Sequence, residues 1–514
     1  MTLSRARQPL FGKDRICGVV AASTAVKMLQ QIRAALPHTG TFELRLDWLR
    51  SDREAAALLA CIPSFRSRTT FIATCRRLEA GGRFAGGIAR QLARLIAAGA
   101  LGCQWCDVEI ETVSRIDLIK FRRLFSGSRF IVSFHDFRRT PPGLPRLLWR
   151  MGTTGADAVK IATECHSIAD SVRVLKLARG RRNVIAVPMG EVGLPARVLA
   201  LREGSALAYA SVGPATAPGQ LSLEEMKTLY RADRLDRHTR VYGVIGNPVA
   251  HSLSPLLHNT GFVICRINAV YLPFLVHDLR DFLASIRRLG IAGFSVTLPH
   301  KERILRHLRD CDEFAAKIGA VNTVTVRGGK LYGCNTDYQG VLQPLERRMR
   351  LSGRRVLIFG AGGAARAAAF ALSRAGAAVC LCSRRPEQAR ALTRAIKGEA
   401  IARRHIAESR FDVIINATPI GMQPHVNQSP LEARELNCGI VFDLVYRPMQ
   451  TRLLRLAARR GIKTISGIEM FLAQGLSQWE TWFDEEAPEA SMRSAVRKVL
   501  RLEQAAGSRE TAVK

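Results

Sequence analysis

Between Arg15 and Ser211 the chain runs through eight short apolar segments, most of them followed by an Ala/Leu/Arg-rich stretch of helical period. The candidate strands are Arg15–Val20, Thr41–Asp47, Thr69–Cys75, Gly102–Ile110, Arg129–Phe134, Ala156–Ile161, Asn183–Val187 and Ala206–Ser211. Strict alternation of strand and helix feeds parallel strands, and eight such repeats predict a (β/α)8 barrel. The closing helix is expected near Leu223–Tyr230, and the charged stretch Arg231–Arg240 reads as a linker. The chain has 514 residues, so more than one domain follows.

The second half also alternates. A strand begins at Arg240–Ile245, and residues 240–342 form one α/β unit. A second unit, 353–465, opens with a strand that runs straight into a glycine turn. Gly467–Leu502 is helical and returns to the first of these units, and the last dozen residues read as frayed. The expected domains are 1–236, 237–345, 346–465 and 466–514, all within an α/β architecture.

Composition narrows the partners. The net charge is +34, but the cations are scattered from Arg5 to Lys514 and form no stripe, which disfavours nucleic acid. Twelve cysteines lie far apart, which predicts reduced thiols and a cytoplasmic setting. Cys103 and Cys106 make a single CxxC with no second pair, so no metal is expected. The first twenty residues have no apolar core, and no window approaches the ~18 uninterrupted apolar residues of a membrane span.

Charged residues in barrel strands carry the chemistry. Phe42–Asp47 alternates, so Glu43, Arg45 and Asp47 share a face. Arg76 and His135-Asp136 follow other strands, and Lys160 lies inside the apolar run ADAVKIA. A solvated edge strand and a snorkelling lysine are the plain alternatives. An amine that is buried and faces cations such as Arg45 is neutral and nucleophilic, and with His135, Arg45 and Arg76 converging it reads as a Schiff-base lysine.

The set ELRLD, TCRR…GG, SFHDF, GADAVKIA, PMGEVGLPAR and ATAPGQ resembles type I 3-dehydroquinate dehydratase across residues 15–230. The resemblance implies that Lys160 condenses with the substrate ketone and that His135 moves the protons, oriented by Glu43 and Asp136. It implies that Arg197 clamps the carboxylate, and that Arg45, Arg76, Thr216 and Gln220 bind hydroxyls and carbonyl. Glu79, followed by Ala80, is shifted from the family's glutamate position, and Thr216 stands where serine is common.

Beyond the linker, Ser252 and Ser254 precede Pro255, in position either to cap a helix or to bind a carboxylate at its start. GFSVTLPHKE delivers Thr297 and Lys301, then come Asn322 and Asp337. Lys301 and Asp337 together can form a proton donor for a carbonyl under reduction. Strand Arg355–Phe359 leads into Gly360-Ala361-Gly362-Gly363-Ala364-Ala365 and an Ala-rich helix, the dinucleotide arrangement. The next strand ends in Ser383-Arg384-Arg385, where an acid would suit NAD and arginines suit the 2′-phosphate of NADP.

HSLSPLLHN, SVTLPHKE, GAVNT, NTD, GAGGAAR, INATPIGM, DLVYRP and SGIEMFLAQG resemble shikimate dehydrogenase across residues 241–500. The resemblance implies that Ser252, Ser254, Thr297, Asn322, Asp337, Tyr446 and Gln474 bind 3-dehydroshikimate or shikimate, with Lys301 and Asp337 catalytic. It implies that Gly360–Ala364, Ser383–Arg385, Thr418, Leu444 and Gly467 line the NADPH site. Ser295 stands where many members have Asn, and Ser383-Arg384-Arg385 where Asn-Arg-Thr is common. The two halves together resemble the fused dehydratase–dehydrogenase of plants and some bacteria, whose first product is the second half's substrate. The readings weighed against this are a catabolic quinate or shikimate dehydrogenase preferring NAD, a basic nucleic-acid-binding protein on an enzyme scaffold, and a chain active only in its dehydrogenase half.

Overall fold

The computed structural model describes residues 10–65, 69–125, 127–217 and 219–512, with side chains through Gln504. Two compact units emerge: one of Met1–Val241 with Asn268–Gly290, the other of Tyr242–Ile267 with Ile291–Lys514.

The apolar runs of the first unit become eight strands: β1 (Ile16–Val20), β2 (Thr41–Arg45), β3 (Thr70–Thr74), β4 (Trp105–Glu109), β5 (Arg129–Asp136), β6 (Ala158–Glu164), β7 (Val184–Met189) and β8 (Ala208–Ser211). They lie in the order β7-β6-β5-β4-β3-β2-β1-β8. The pairings are parallel, including β8 on β1 with Tyr209 opposite Cys17. The ring is drawn together by the Ala206 N–H, which donates to the Val184 carbonyl at 2.8 Å between the starts of β8 and β7. Phe11, Ile72, Trp105, Ile131 and Ile185 fill the interior below the polar layer. β2 ends two residues earlier than its alternation predicts. Leu46–Trp48 winds into a 3₁₀ turn, and Arg45 still grips Asp47 by two hydrogen bonds of 2.8 and 2.9 Å. The expected closing helix is a five-residue π-helical turn, Glu225–Leu229.

Asn268–Gly290, read from sequence as part of the 240–342 unit, groups with the barrel. The helix Leu279–Leu289 explains this. Its Asp281 carboxylate accepts from the Ile168 and Ala169 N–H groups, at 2.6 and 3.0 Å, at the start of the helix Ile168–Lys176. At its other end Arg202 donates to the Leu289 carbonyl at 2.9 Å. A carboxylate on free helix N–H groups and a cation on the last carbonyls both complement the helix dipole. Asp281→Ala should therefore destabilise the first unit by about 1 kcal/mol. Urea unfolding followed by loss of dehydratase activity checks it, and an unchanged midpoint would refute the cap.

In the second unit β9 (Arg240–Gly246), β11 (Ile291–Val296), β12 (Asp310–Cys311), β13 (Thr323–Arg327) and β14 (Lys330–Cys334) lie in the order β9-β11-β13-β14-β12, while β10 (Ala269–Leu275) falls in the segment grouped with the barrel. A separate parallel sheet is built from β15 (Arg355–Phe359), β16 (Ala378–Cys382), β17 (Glu399–Ala400), β18 (Phe411–Asn416), β19 (Cys438–Asp443) and β20 (Lys463–Ile465), in the order β17-β16-β15-β18-β19-β20. This is the doubly wound nucleotide-binding pattern, with its switch point at β15. The tail forms helices Gly467–Phe483 and Glu489–Ala512, so the end expected to fray is helical as far as Ala512. Trp482 of the first tail helix donates to the Val324 carbonyl of β13 at 3.1 Å.

Candidate active sites

The barrel places Lys160 mid-strand on β6, directly beside Ser133 of β5. Its side chain is buried and its Nζ lies 3.1 Å from both Glu43 Oε1 and Asp107 Oδ2. The groups within hydrogen-bond reach of this amine are thus carboxylates, not the cations that its sequence context suggested. Asp107 also accepts from Ser133 Oγ at 2.5 Å and from Arg76 Nη2 at 3.1 Å. Burial alone would raise the Asp107 carboxyl, but Arg76 and Lys160 outweigh it and hold the group well below the usual carboxylate range. It stays ionised. Burial, then the charges of Arg76 and Lys160, push His135 well below its ordinary value, so its imidazole is neutral at pH 7.

The expected orientation of His135 by Glu43 and Asp136 does not occur. Glu43 is taken by Lys160 and by Thr74 Oγ1 at 2.8 Å, and Asp136 accepts the N–H groups of Arg138 and Arg139 at 2.9 and 3.0 Å. The reason is geometric: Glu43 and Lys160 face one another across the barrel interior, and Asp136 lies at the end of β5 where the chain turns. His135 Nδ1 is buried with no hydrogen-bond partner among the described residues, and its ring stacks near Phe137.

Glu43, Arg45, Arg76, His135, Lys160, Arg197, Thr216 and Gln220 all line one cavity. Arg197 is buried and its Nε donates to the Pro188 carbonyl at 2.8 Å. Thr216 and Gln220 hold one another through the Thr216 hydroxyl and N–H. Glu79 pairs with Arg77, its side chain 71% exposed. Sequence reasoning missed Asp107 and Ser133. The signal for Asp107 was present: Asp107-Val108-Glu109 repeats in β4 the alternation of charge that singled out β2.

The second unit builds a cavity of about 460 Å³ lined by Ser252, Ser254, Thr297, Lys301, Asn322, Asp337, Tyr446 and Gln474, and also by Ala364, Leu444 and Gly467. Lys301 Nζ meets Asp337 Oδ2 at 2.5 Å, and Asn322 Nδ2 donates to Asp337 Oδ1 at 2.8 Å, so both carboxylate oxygens are fixed. Asn322 is locked in turn, since its Oδ1 accepts the Thr336 N–H at 2.7 Å. Ser252 Oγ accepts the Ser254 N–H at 3.2 Å, at the first turn of the helix Ser254–Ile264. Ser295 donates to Gln478 at 2.7 Å. Tyr446 stacks on Phe471 with ring centroids 5.0 Å apart.

The glycine turn after β15 suits a dinucleotide. Gly360 has φ +126°, and a Cβ there would stand 2.9 Å from the Ala417 carbonyl. Gly362 and Gly363 face open space at the start of the helix Gly363–Arg374, and Ala361 and Ala364 flank them; the first N–H groups of such a helix suit a phosphate. Ala365 is fully buried, which lets the helix pack close. Arg384 and Arg385 project exposed beyond β16, beside Ser383. Thr418 hydrogen-bonds Asn416, which Asp443 holds at 2.8 Å. Burial raises Asp443 to about 6. Neither Asn416 nor Asp443 was singled out from sequence, because buried loop-bracing side chains there look like ordinary strand ends.

Residues 16–237 match the family model described as type I 3-dehydroquinase. Residues 244–324 match the shikimate dehydrogenase substrate binding domain, 355–445 the coenzyme F420-dependent NADP oxidoreductase model, and 467–497 the shikimate 5′-dehydrogenase C-terminal domain. Across both halves the chain is 35% identical to a bifunctional 3-dehydroquinate dehydratase/shikimate dehydrogenase, chloroplastic, of Arabidopsis thaliana, over 92% of this chain and 82% of that one. The chain belongs to the bifunctional 3-dehydroquinate dehydratase/shikimate dehydrogenases.

Over half its length this bifunctional enzyme is also 44% identical to a shikimate dehydrogenase (NADP(+)) of Thermococcus kodakarensis, covering 51% of this chain and 97% of that one. A solved shikimate 5-dehydrogenase of Thermus thermophilus, in complex with NADP(H) and shikimate, is 36% identical over 51% of this chain and 99% of that one, with a TM-score of 0.48. The fused chain is a lyase and an NADP-dependent oxidoreductase of the shikimate pathway. Its dehydratase half works through the Schiff base of type I enzymes. Among the described residues no group of three or more His, Cys, Asp or Glu is placed to hold a metal, and no helix is long and apolar enough to cross a membrane.

Proposed function

We propose that Lys160 and His135 carry the dehydration of 3-dehydroquinate, and that Lys301 and Asp337 carry the reduction of 3-dehydroshikimate to shikimate. The observation behind this reading is that each half presents one lysine amine in a cavity at hydrogen-bond distance from a carboxylate.

In the barrel Lys160 gives up one proton, and its amine, with a free lone pair, adds to the substrate ketone while the carbonyl oxygen takes that proton. A C–N bond forms, the C–O bond breaks, and the nitrogen's two departing protons leave with that oxygen as water. The resulting iminium draws electrons from the neighbouring C–H. Neutral His135 accepts that proton and returns it to the departing hydroxyl. Asp107 and Glu43 hold the positive nitrogen before and after condensation. Arg197 receives the carboxylate, while Arg45, Arg76, Thr216 and Gln220 meet the oxygens of the ring.

In the second half Ser252, Ser254, Thr297, Asn322, Tyr446 and Gln474 seat the ring. Lys301, with Asp337 beside it, gives its proton to the carbonyl oxygen as that oxygen becomes an alkoxide. NADPH, when bound, supplies the hydride. Gly360–Ala364 would receive its pyrophosphate, Ser383–Arg385 its 2′-phosphate, and Thr418, Leu444 and Gly467 would flank its ring. Arg384→Ala is expected to raise KM for NADP about tenfold or more while moving KM for NAD by no more than about twofold. Steady-state kinetics with both cofactors checks it, and equal effects would remove this arginine from 2′-phosphate recognition.

The division into 1–236, 237–345, 346–465 and 466–514 accompanies this assignment of roles. The twelve cysteines are free thiols, which supports a cytoplasmic location, testable by fractionation of the native host. The decisive experiment is incubation with 3-dehydroquinate and NADPH while both absorbance changes are followed. Enone formation followed by NADPH consumption is the expected result, and neither change would overturn the reading.

A further inference from the structure

Among the polar groups around Lys160, most are satisfied inside the protein: Lys160 by Glu43 and Asp107, Arg76 by Ser133 and Asp107, Arg45 by Asp47. Tyr209 of β8 is not. It is only 7% exposed, lines the same cavity, and its hydroxyl is buried with no hydrogen-bond partner among the described residues. Its ring lies under the amine, with Lys160 Nζ 4.0 Å from the ring centroid. A buried hydroxyl left unpaired loses its hydration with nothing in return. Phenylalanine would fill the same space and present the same face to the cation without that cost. The hydroxyl therefore serves something that enters the cavity.

We propose that Tyr209 is a further catalytic residue of the dehydratase half: its hydroxyl donates a hydrogen bond to the substrate's ketone oxygen while Lys160 adds to the carbonyl carbon and that oxygen departs. The donated bond polarises the carbonyl, then holds the oxygen as it takes two protons from the lysine nitrogen and leaves as water. Tyr209 exchanges no proton in the balance. Burial first, then the negative charges of Glu43 and Asp107, raise the phenol well above its ordinary value, so it remains a donor throughout. The ring face, which phenylalanine would share, supports the ammonium and the iminium alike.

The inference rests on Lys160 being the Schiff-base residue, and the test separates the two. Wild type, Tyr209→Phe and Tyr209→Leu are treated with 3-dehydroquinate and borohydride, and the adduct on Lys160 is quantified over time by mass spectrometry. Dehydration and 3-dehydroshikimate reduction are measured alongside. Tyr209→Phe should trap the adduct and dehydrate on the order of 10-fold more slowly in kcat, with KM and reduction unchanged. Tyr209→Leu, which also loses the face, should be slower again. Wild-type trapping with Tyr209→Phe at the wild-type rate overturns the role of the hydroxyl alone. A Tyr209→Phe variant that loses reduction as well, or changes only in KM, overturns it too. No adduct on Lys160 in wild type overturns the underlying assignment.

Discussion

Lys160→Ala is expected to lower kcat for dehydration by about 10⁴-fold or more, while reduction of 3-dehydroshikimate stays within about twofold of wild type. The asymmetry is the informative part. The amine forms the covalent bond in one half and has no part in the other half's chemistry. Removing it also leaves Glu43 and Asp107 without their shared cation at a site only 5% exposed, which costs on the order of 3–5 kcal/mol. A stability loss could therefore imitate a catalytic one. Lys160→Arg answers this by keeping a positive charge beside both carboxylates while supplying no nucleophilic amine. It should fold with a near-normal melting temperature and remain as inactive as the alanine variant. Borohydride should label wild type on Lys160 in the presence of 3-dehydroquinate and label neither variant. Substantial dehydration by Lys160→Arg would end the Schiff-base assignment to this residue.

The second large effect falls in the other half. Asp337→Asn and Lys301→Ala should each lower kcat for shikimate oxidation by about 10²–10⁴-fold, with dehydration untouched. Asp337 is fixed from two sides, by Lys301 at 2.5 Å and by Asn322 at 2.8 Å. Asp337→Asn keeps the bulk and an oxygen for Asn322, but it removes the charge that faces the Lys301 ammonium. A loss concentrated in kcat marks a group that acts in the transition state; a loss in KM alone marks uniform binding. If both variants turn over shikimate at the wild-type kcat, the pair does not supply the proton.

The two halves were legible from sequence to different depths. Every barrel strand was visible because a parallel strand buried on both faces is a short apolar run bounded by turns, a strong local signal. Lys160 stood out for the same reason, as a single charge inside such a run. The glycine turn was equally plain, since Gly360 needs a positive φ and a close approach to Ala417 that other residues resist. The partners of these groups were not legible. Glu43 and Asp107 lie 117 and 53 positions before Lys160 along the chain, and only closure of the ring brings both carboxylates to 3.1 Å from the amine. The helpers that the resemblance implied for His135 included its chain neighbour Asp136, but adjacent residues on a strand point to opposite faces, so that neighbour turned away.

Asn268–Gly290 makes the same point at larger scale. Its pattern of strand, Asp278 cap and amphipathic helix marked it as α/β and said nothing about which body it would join. That was decided by Asp281 meeting two free helix N–H groups more than a hundred residues upstream. The sequence alone determined which elements form and which residue types stand at strand ends, because those depend on local periodicity and on backbone restrictions at glycine and proline. Tertiary structure alone decided which charges neutralise which, and so whether an amine, an imidazole or a phenol is left free to meet a substrate. Such pairing depends on distances across the barrel and the sheets that no local pattern encodes.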